Sequence, residues 1–199
     1  MRPVYLVDDD EAVRAALSLL LSTVGIDVRG FGDPTLFLAS VSKLAPGCLI
    51  LDIRMPAITG LKLQEKLTAL GIDWPVIVIS GHGDIDACRR AFRNGAVDYL
   101  SKPVDEEDLI EAVHRAQERL EALLGAKALK AETEALLATL TAREREVLDR
   151  IAQGFSTRQI AEGLGLSPRT VDSHRLAIGA KLGTTSQAEL ARLWIEAHP

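Results

Sequence analysis

The first half of the chain repeats one rhythm: a short apolar run, a polar break, then an amphipathic stretch. The apolar runs fall at 4–7, 48–51, 76–79 and 96–100, with a weaker one at 28–31. Each is four or five residues long, and most are rich in Val, Ile and Leu, which suits strands buried on both faces of a parallel sheet. The stretches between them, 12–24, 34–44, 61–70, 85–94 and 106–124, carry helical periodicity. In the first, Val13, Leu17, Leu20, Leu21 and Val24 share one helical face. Alternating strands and helices predict a doubly wound, five-stranded parallel sheet.

The chain has 199 residues, 47% of them hydrophobic, which suits one generous domain or two small ones. Aromatic residues make up only 4%, so the core is aliphatic. No apolar run approaches the ~20 residues of a membrane span. The opening MRPVYLVDDD sets acids directly behind a short apolar run, unlike a secretory leader. Cys48 and Cys88 have no metal-like spacing and read as buried, reduced thiols. These features predict a soluble cytoplasmic protein with no membrane partner.

Charge divides the chain. Residues 1–118 hold 12 basic and 18 acidic side chains, residues 119–140 three of each, and residues 141–199 eight and seven. An acidic first part and a slightly basic last part suggest two tasks. Residues 112–140 stay rich in Ala, Leu, Glu and Lys, with Gly125 the one breaker. They read as the last helix of an α/β domain over 1–118 running into a helical linker over 119–140; a solvated tether is the alternative.

From Thr141 the pattern is helical alone. Thr141 with Glu144, and Ser156 with Gln159, form capping boxes that open two helices. Ser167 followed by Pro168 starts a third, running to about Leu182 and stopped by Gly183. Ser186 caps a fourth. Short helices with a tight Gly165 turn before the third describe an all-α, four-helix helix-turn-helix domain over 141–199.

Open α/β sheets place their sites at the carboxyl ends of the strands. The first strand ends in Asp8, Asp9 and Asp10, the third in Asp52, the fourth in Ser80, and Lys102 follows the fifth. Clustered carboxylates need a cation, and Mg²⁺, an oxygen-seeking ion that retains water, suits them. A carboxylate there can attack a phosphoryl group while the metal and Lys102 balance charge and Ser80 hydrogen-bonds a phosphoryl oxygen.

VDDDEAVR at 7–14, LDIRMPAITG at 51–60, VISGHGD at 78–84 and AVDYLSKP at 96–103 together resemble the receiver domain of response regulators, a flavodoxin-like fold. The resemblance implies that Asp52 is the phosphorylated residue. It assigns Asp8 and Asp9 as the acidic pair, and Asp9, Asp52 and the backbone carbonyl of Arg54 as Mg²⁺ ligands. Ser80 matches the switch hydroxyl, Tyr99 the switch aromatic and Lys102 the phosphate-contacting lysine. The Lys102–Pro103 bond is expected in cis. Arg54 and His82 occupy positions flanking the attacking water, so they are expected to set the phosphate lifetime.

In the third helix of the second part, Val171, Ile178 and Leu182 share one face, while Arg169, Asp172, Ser173 and Leu176 lie opposite and could enter a major groove. Arg175 and His174 border the apolar stripe, where internal pairing or packing is expected. Arg158, Thr170, Lys181 and the helix N-termini are candidates for DNA contacts. LTAREREVLDRIAQGFSTRQIAEGLGLSPRTVDSHR at 140–175 resembles the LuxR-type helix-turn-helix, and with the receiver motifs it is similar to the NarL/FixJ class, on the FixJ-like side. The positions matching that family's base-reading residues are Asp172, Ser173 and Leu176. Asp172 departs from a basic reading face and suits only a cytosine amino group. Gly179 costs the helix ~1 kcal/mol.

The resemblance implies a transcription factor with no substrate turnover beyond its own phosphorylation and slow dephosphorylation. Its expected partners are a sensor histidine kinase, double-stranded promoter DNA and a second copy of itself, with RNA polymerase a further one. An aspartyl-phosphate hydrolase would want an Asp-x-Asp-x-Thr/Val loop after the first strand, which DDDEAV lacks. A helical half that binds protein in place of DNA is the other alternative.

Overall fold

The computed structural model describes residues 2–81 and 85–197. The chain divides into two compact units, Met1–Leu123 and Leu124–Pro199.

In the first unit, β1 (Val4–Val7), β2 (Val28–Phe31), β3 (Cys48–Asp52), β4 (Val76–Ser80) and β5 (Asp98–Ser101) form a parallel sheet in the order β2-β1-β3-β4-β5. The central strands β1, β3 and β4 are buried along their whole length, which is why they read as unbroken apolar runs. The edge strands β2 and β5 are only half-buried, which explains the weaker signal of β2. Five helices connect the strands or follow them: α1 (Glu11–Thr23), α2 (Pro34–Ser40), α3 (Gly60–Ala69), α4 (Ile85–Arg93) and α5 (Glu106–Ala138).

Element ends differ in places from the sequence reading. The stretch 34–44 is helical only to Ser40 and closes with a 3₁₀ turn at Val41–Lys43. Pro46 lies just ahead and disfavours helix in its approach. The run 96–100 becomes strand only at Asp98, because Ala96 still donates to the Ala91 carbonyl at 3.0 Å and completes the end of α4. Cys48 is buried, and burial pushes its thiol up to about 12. Cys88 is only half-buried, so the expectation of two buried thiols is corrected for it. Its place on amphipathic α4 leaves it at the border of the core face.

Helix α5 runs through Gly125 without a break, in place of the alternative tether. Its first part is tied to the start of β1: the Arg2 N–H donates to Gln117 Oε1 at 3.0 Å, and Gln117 Nε2 to the Arg2 carbonyl at 2.8 Å.

The second unit contains the end of α5 with α6 (Ala142–Ala152), α7 (Thr157–Leu164), α8 (Pro168–Leu182) and α9 (Gln187–Ala197). Both capping boxes form, and Ser167 caps α8 ahead of Pro168. Gly165, at φ 65°, makes the turn from α7 to α8 in a left-handed conformation that glycine adopts without strain. Leu137, Val147, Leu148, Ile151, Ile160, Val171, Ile178 and Leu190 form the core. Gly179 is buried in that packing. A Cβ there would lie 2.9 Å from the Thr184 carbonyl, so the glycine permits the close turn into α9 and its helix cost has a structural return.

Candidate functional site

The strand order turns back on itself between β1 and β3, and the site lies beyond their carboxyl ends. Asp8 leaves β1 with 0% exposure, and Asp52 closes β3 with 4%. Lys102 reaches them from beyond β5. Its Nζ lies 2.7 Å from Asp8 Oδ2 and 2.7 Å from Asp52 Oδ1. The remaining carboxylate oxygens take main-chain donors: Arg54 N–H to Asp52 Oδ2 at 2.6 Å, and Asp10 N–H to Asp8 Oδ1 at 2.9 Å. The Lys102 N–H donates to the Ser80 carbonyl at 2.7 Å, which fixes the loop, and the Lys102–Pro103 bond is cis. Burial alone would lower the Lys102 pKa, but hydrogen bonds to Asp52 and Asp8 outweigh it and raise the value.

The three acids after β1 have separate tasks. Asp8 is buried in the site, Asp9 stands exposed on the rim, and Asp10 caps α1 by accepting from the N–H groups of Ala12 and Val13. Ser80 is buried at the end of β4, and Tyr99 is half-buried against the main core. The Arg54 side chain is exposed, and His82 lies outside the described residues.

Two buried carboxylates share one ammonium, which leaves a net negative site beside a further exposed carboxylate. Among the described residues, no three His, Cys, Asp or Glu side chains close a metal cage. Mg²⁺ needs none, since it binds through one or two carboxylates and keeps its waters. The donor set therefore fits that ion.

On α8 the buried residues are Val171, Ile178, Gly179 and Leu182, while Arg169, Thr170, Asp172 and Ser173 are exposed and Leu176 is 72% exposed. Two of the polar groups already hold local bonds: Thr170 Oγ1 pairs with Ser167 Oγ at 2.8 Å, and Ser173 Oγ donates to the Arg169 carbonyl at 3.0 Å. Arg158 is exposed on α7 with an ion pair to Glu162 at 3.0 Å. Arg175 turns inward to Thr157 and Gln187, and His174 is half-buried.

Lys181 does not join this face. Its Nζ lies 2.6 Å from Glu144 Oε2 and donates to the Thr139 carbonyl at 3.3 Å. Glu144 is a buried carboxylate that needs a counter-charge, and Lys181 supplies it.

The description "Response regulator receiver domain" matches residues 4–114, and "Bacterial regulatory proteins, luxR family" matches residues 138–194. The transcriptional regulatory protein FixJ of Bradyrhizobium diazoefficiens is 34% identical over 98% of this chain and 95% of its own. The chain belongs to the FixJ-type response regulators. The response regulator protein TmoT of Ectopseudomonas mendocina is 42% identical over 96% of this chain and 86% of its own. Among solved structures, response regulator StyR superposes with a TM-score of 0.84 at 36% identity, covering 98% of this chain and all of that one. Full-length FixJ from B. japonicum gives 0.62 at 33% identity, over 99% and 97%. This FixJ-type regulator is thus a transcriptional regulator with a receiver and a LuxR-type DNA-binding domain, and not a classical enzyme. Among the described residues, no helix is long and apolar enough to cross a membrane.

Gly60 and Arg14 support the site without belonging to its charged cluster. A Cβ at Gly60 would lie 2.1 Å from the Asp52 carbonyl, so the backbone carrying Asp52 rests directly on α3. Gly60 is the last residue of the LDIRMPAITG motif.

Proposed function

We propose that Asp52 accepts a phosphoryl group from a sensor histidine kinase, and that this modification controls dimerisation and sequence-specific binding to promoter DNA. One observation carries the reading: the buried Asp52 carboxylate stands with Asp8 at a single ammonium, Lys102, 2.7 Å from each. A carboxylate oxygen of Asp52 attacks phosphorus, the bond from phosphorus to the kinase imidazole nitrogen breaks, and the imidazole keeps the electron pair. Bound Mg²⁺ supplies positive charge to the transferring oxygens. Asp8 and Asp9, with Asp52 and the Arg54 carbonyl, are the groups to hold the ion. Lys102 stays with the anionic oxygens. Ser80 turns toward the new phosphoryl group, and Tyr99 follows, changing the surface around β5.

Residues 1–118 form the receiver in this reading, 119–140 the helical link and 141–199 the DNA-binding part, in the cytoplasm and with RNA polymerase as a further partner. Asp172, Ser173 and Leu176 read bases, while Arg169, Thr170 and Arg158 contact the DNA backbone. The test is incubation with acetyl phosphate and Mg²⁺. One phosphoryl mass should be gained, with none in EDTA and none in Asp52→Asn, and affinity for upstream DNA should rise with it. A mass gain in Asp52→Asn overturns the assignment.

A further inference from the structure

Arg14 lies on α1, half-buried, and its Nη1 donates to the main-chain carbonyl of Asp8 at 2.7 Å. The Asp8 N–H donates in turn to the Phe31 carbonyl at 3.2 Å. Asp8 is thus held at both its N–H and its C=O, on either side of the carboxylate that enters the site. The guanidinium passes across the glycines that flank Phe31. A methyl group at Gly32 would lie 3.1 Å from Nη1, and one at Gly30 would lie 3.6 Å from Cδ. Neither glycine has positive φ, so the turn itself does not require them. What Gly32 provides is room for the Arg14 guanidinium, whereas a Cβ at Gly30 would make only an ordinary van der Waals contact with Arg14 Cδ.

We infer that Arg14 is a positioning residue for the acidic pair: it clamps the Asp8 carbonyl across the room left at Gly32, and so sets the geometry of Asp8 and Asp9 toward Mg²⁺. The inference rests on the proposed metal-dependent phosphorylation of Asp52. Two physical effects of Arg14 have opposite signs. As a cation near an acidic site it weakens binding of a second cation. As a clamp it pre-organises the loop and strengthens binding. Partners that orient metal ligands from outside are worth ~10–100-fold in affinity. The clamp should therefore win.

The test uses the full chain with Arg14→Met, Arg14→Lys and Gly32→Ala, each checked for folding by circular dichroism. Mg²⁺ affinity is measured by calorimetry. Amide exchange at Asp10, whose N–H donates to Asp8 Oδ1 at 2.9 Å, is followed without metal. Arg14→Met should weaken Mg²⁺ binding by ~10-fold and speed Asp10 exchange. Arg14→Lys keeps the charge but not the reach of the fork, and should fall between. Gly32→Ala should move in the same direction by less. Equal or tighter Mg²⁺ binding in Arg14→Met, with unchanged Asp10 exchange, overturns the inference. If the unsubstituted protein fails to bind Mg²⁺, the phosphorylation reading falls, and Asp10 exchange still decides whether Arg14 clamps the loop.

Discussion

Gly60 controls the ground on which Asp52 stands. An alanine there would set its methyl carbon 2.1 Å from the Asp52 carbonyl, a backbone atom that has no rotamer with which to escape. Gly60→Ala is expected to destabilise the first unit by about 3 kcal/mol in urea unfolding and to slow phosphorylation of Asp52. Lys102 works by charge. In metal-free protein it is the counter-ion of two buried carboxylates, and removing one partner of a buried pair costs ~3–5 kcal/mol. Lys102→Met should therefore lower stability in EDTA. The same ammonium competes with any metal for Asp8 and Asp52, so the variant should bind Mg²⁺ more tightly while phosphorylation slows. Calorimetry and mass spectrometry read the two effects separately, and weaker Mg²⁺ binding would contradict the competition.

Helix α8 is held to α6 by charge as well as by its apolar face. The Lys181 ammonium, with the Thr141 N–H, holds the Glu144 carboxyl down to about 2, against an ordinary value of 4.5. A carboxyl depressed on folding stabilises the fold above its unfolded value. That contribution is lost as pH falls through the folded one. The second unit should thus lose on the order of 2–3 kcal/mol between about pH 4.5 and pH 2. Glu144→Gln should flatten this dependence. Trp194, bonded to Asp149 at 3.1 Å, reports unfolding of this unit once Trp74 in the other is replaced by Phe. On the opposite face of α8, the proposed DNA contacts give the two signs of charge different tasks. Arg169→Ala should weaken binding to all DNA and reduce the salt slope by about 1. Asp172→Ala should raise affinity for unrelated DNA and lose ~1–3 kcal/mol of discrimination at one base pair. An operator library measured at two salt concentrations distinguishes them, and an Asp172→Ala protein with unchanged specificity would require the contact face to be redrawn.

Across the whole molecule, acidic side chains outnumber basic ones 18 to 12 in residues 1–118, against seven to eight in residues 141–199. The proposed phosphorylation of Asp52 would replace a carboxylate of charge −1 with an acyl phosphate of about −2, adding roughly one negative charge to the acidic part. Electrostatic attraction to DNA therefore belongs to the second part alone, and a single helix-turn-helix reads a single half-site. In the proposed dimer, two copies on half-sites about one helical turn or a multiple apart would supply what a single face lacks. Sedimentation of the phosphorylated protein should show a dimer where the unmodified protein is monomeric. A monomer in both states that binds paired half-sites only after phosphorylation would point to relief of inhibition.

Much of this organisation follows from the sequence by itself, because it rests on short-range rules. Buried central strands show as unbroken apolar runs. Thr141 with Glu144, Ser156 with Gln159, and Ser167 before Pro168 mark helix starts within three residues of themselves. Strand ends put Asp8, Asp52 and Ser80 on one rim, and 100° per residue separates Val171 from Asp172 on α8. The tertiary structure decided which remote groups meet. Lys102 reaches Asp8 across 94 positions, and Lys181 meets the buried Glu144 across 37. Arg14 runs beside Gly32, just beyond β2, where a Cβ would lie 3.1 Å from its Nη1. Periodicity and capping act between neighbours along the chain, whereas these pairings depend on distances that arise only when the sheet and helices pack.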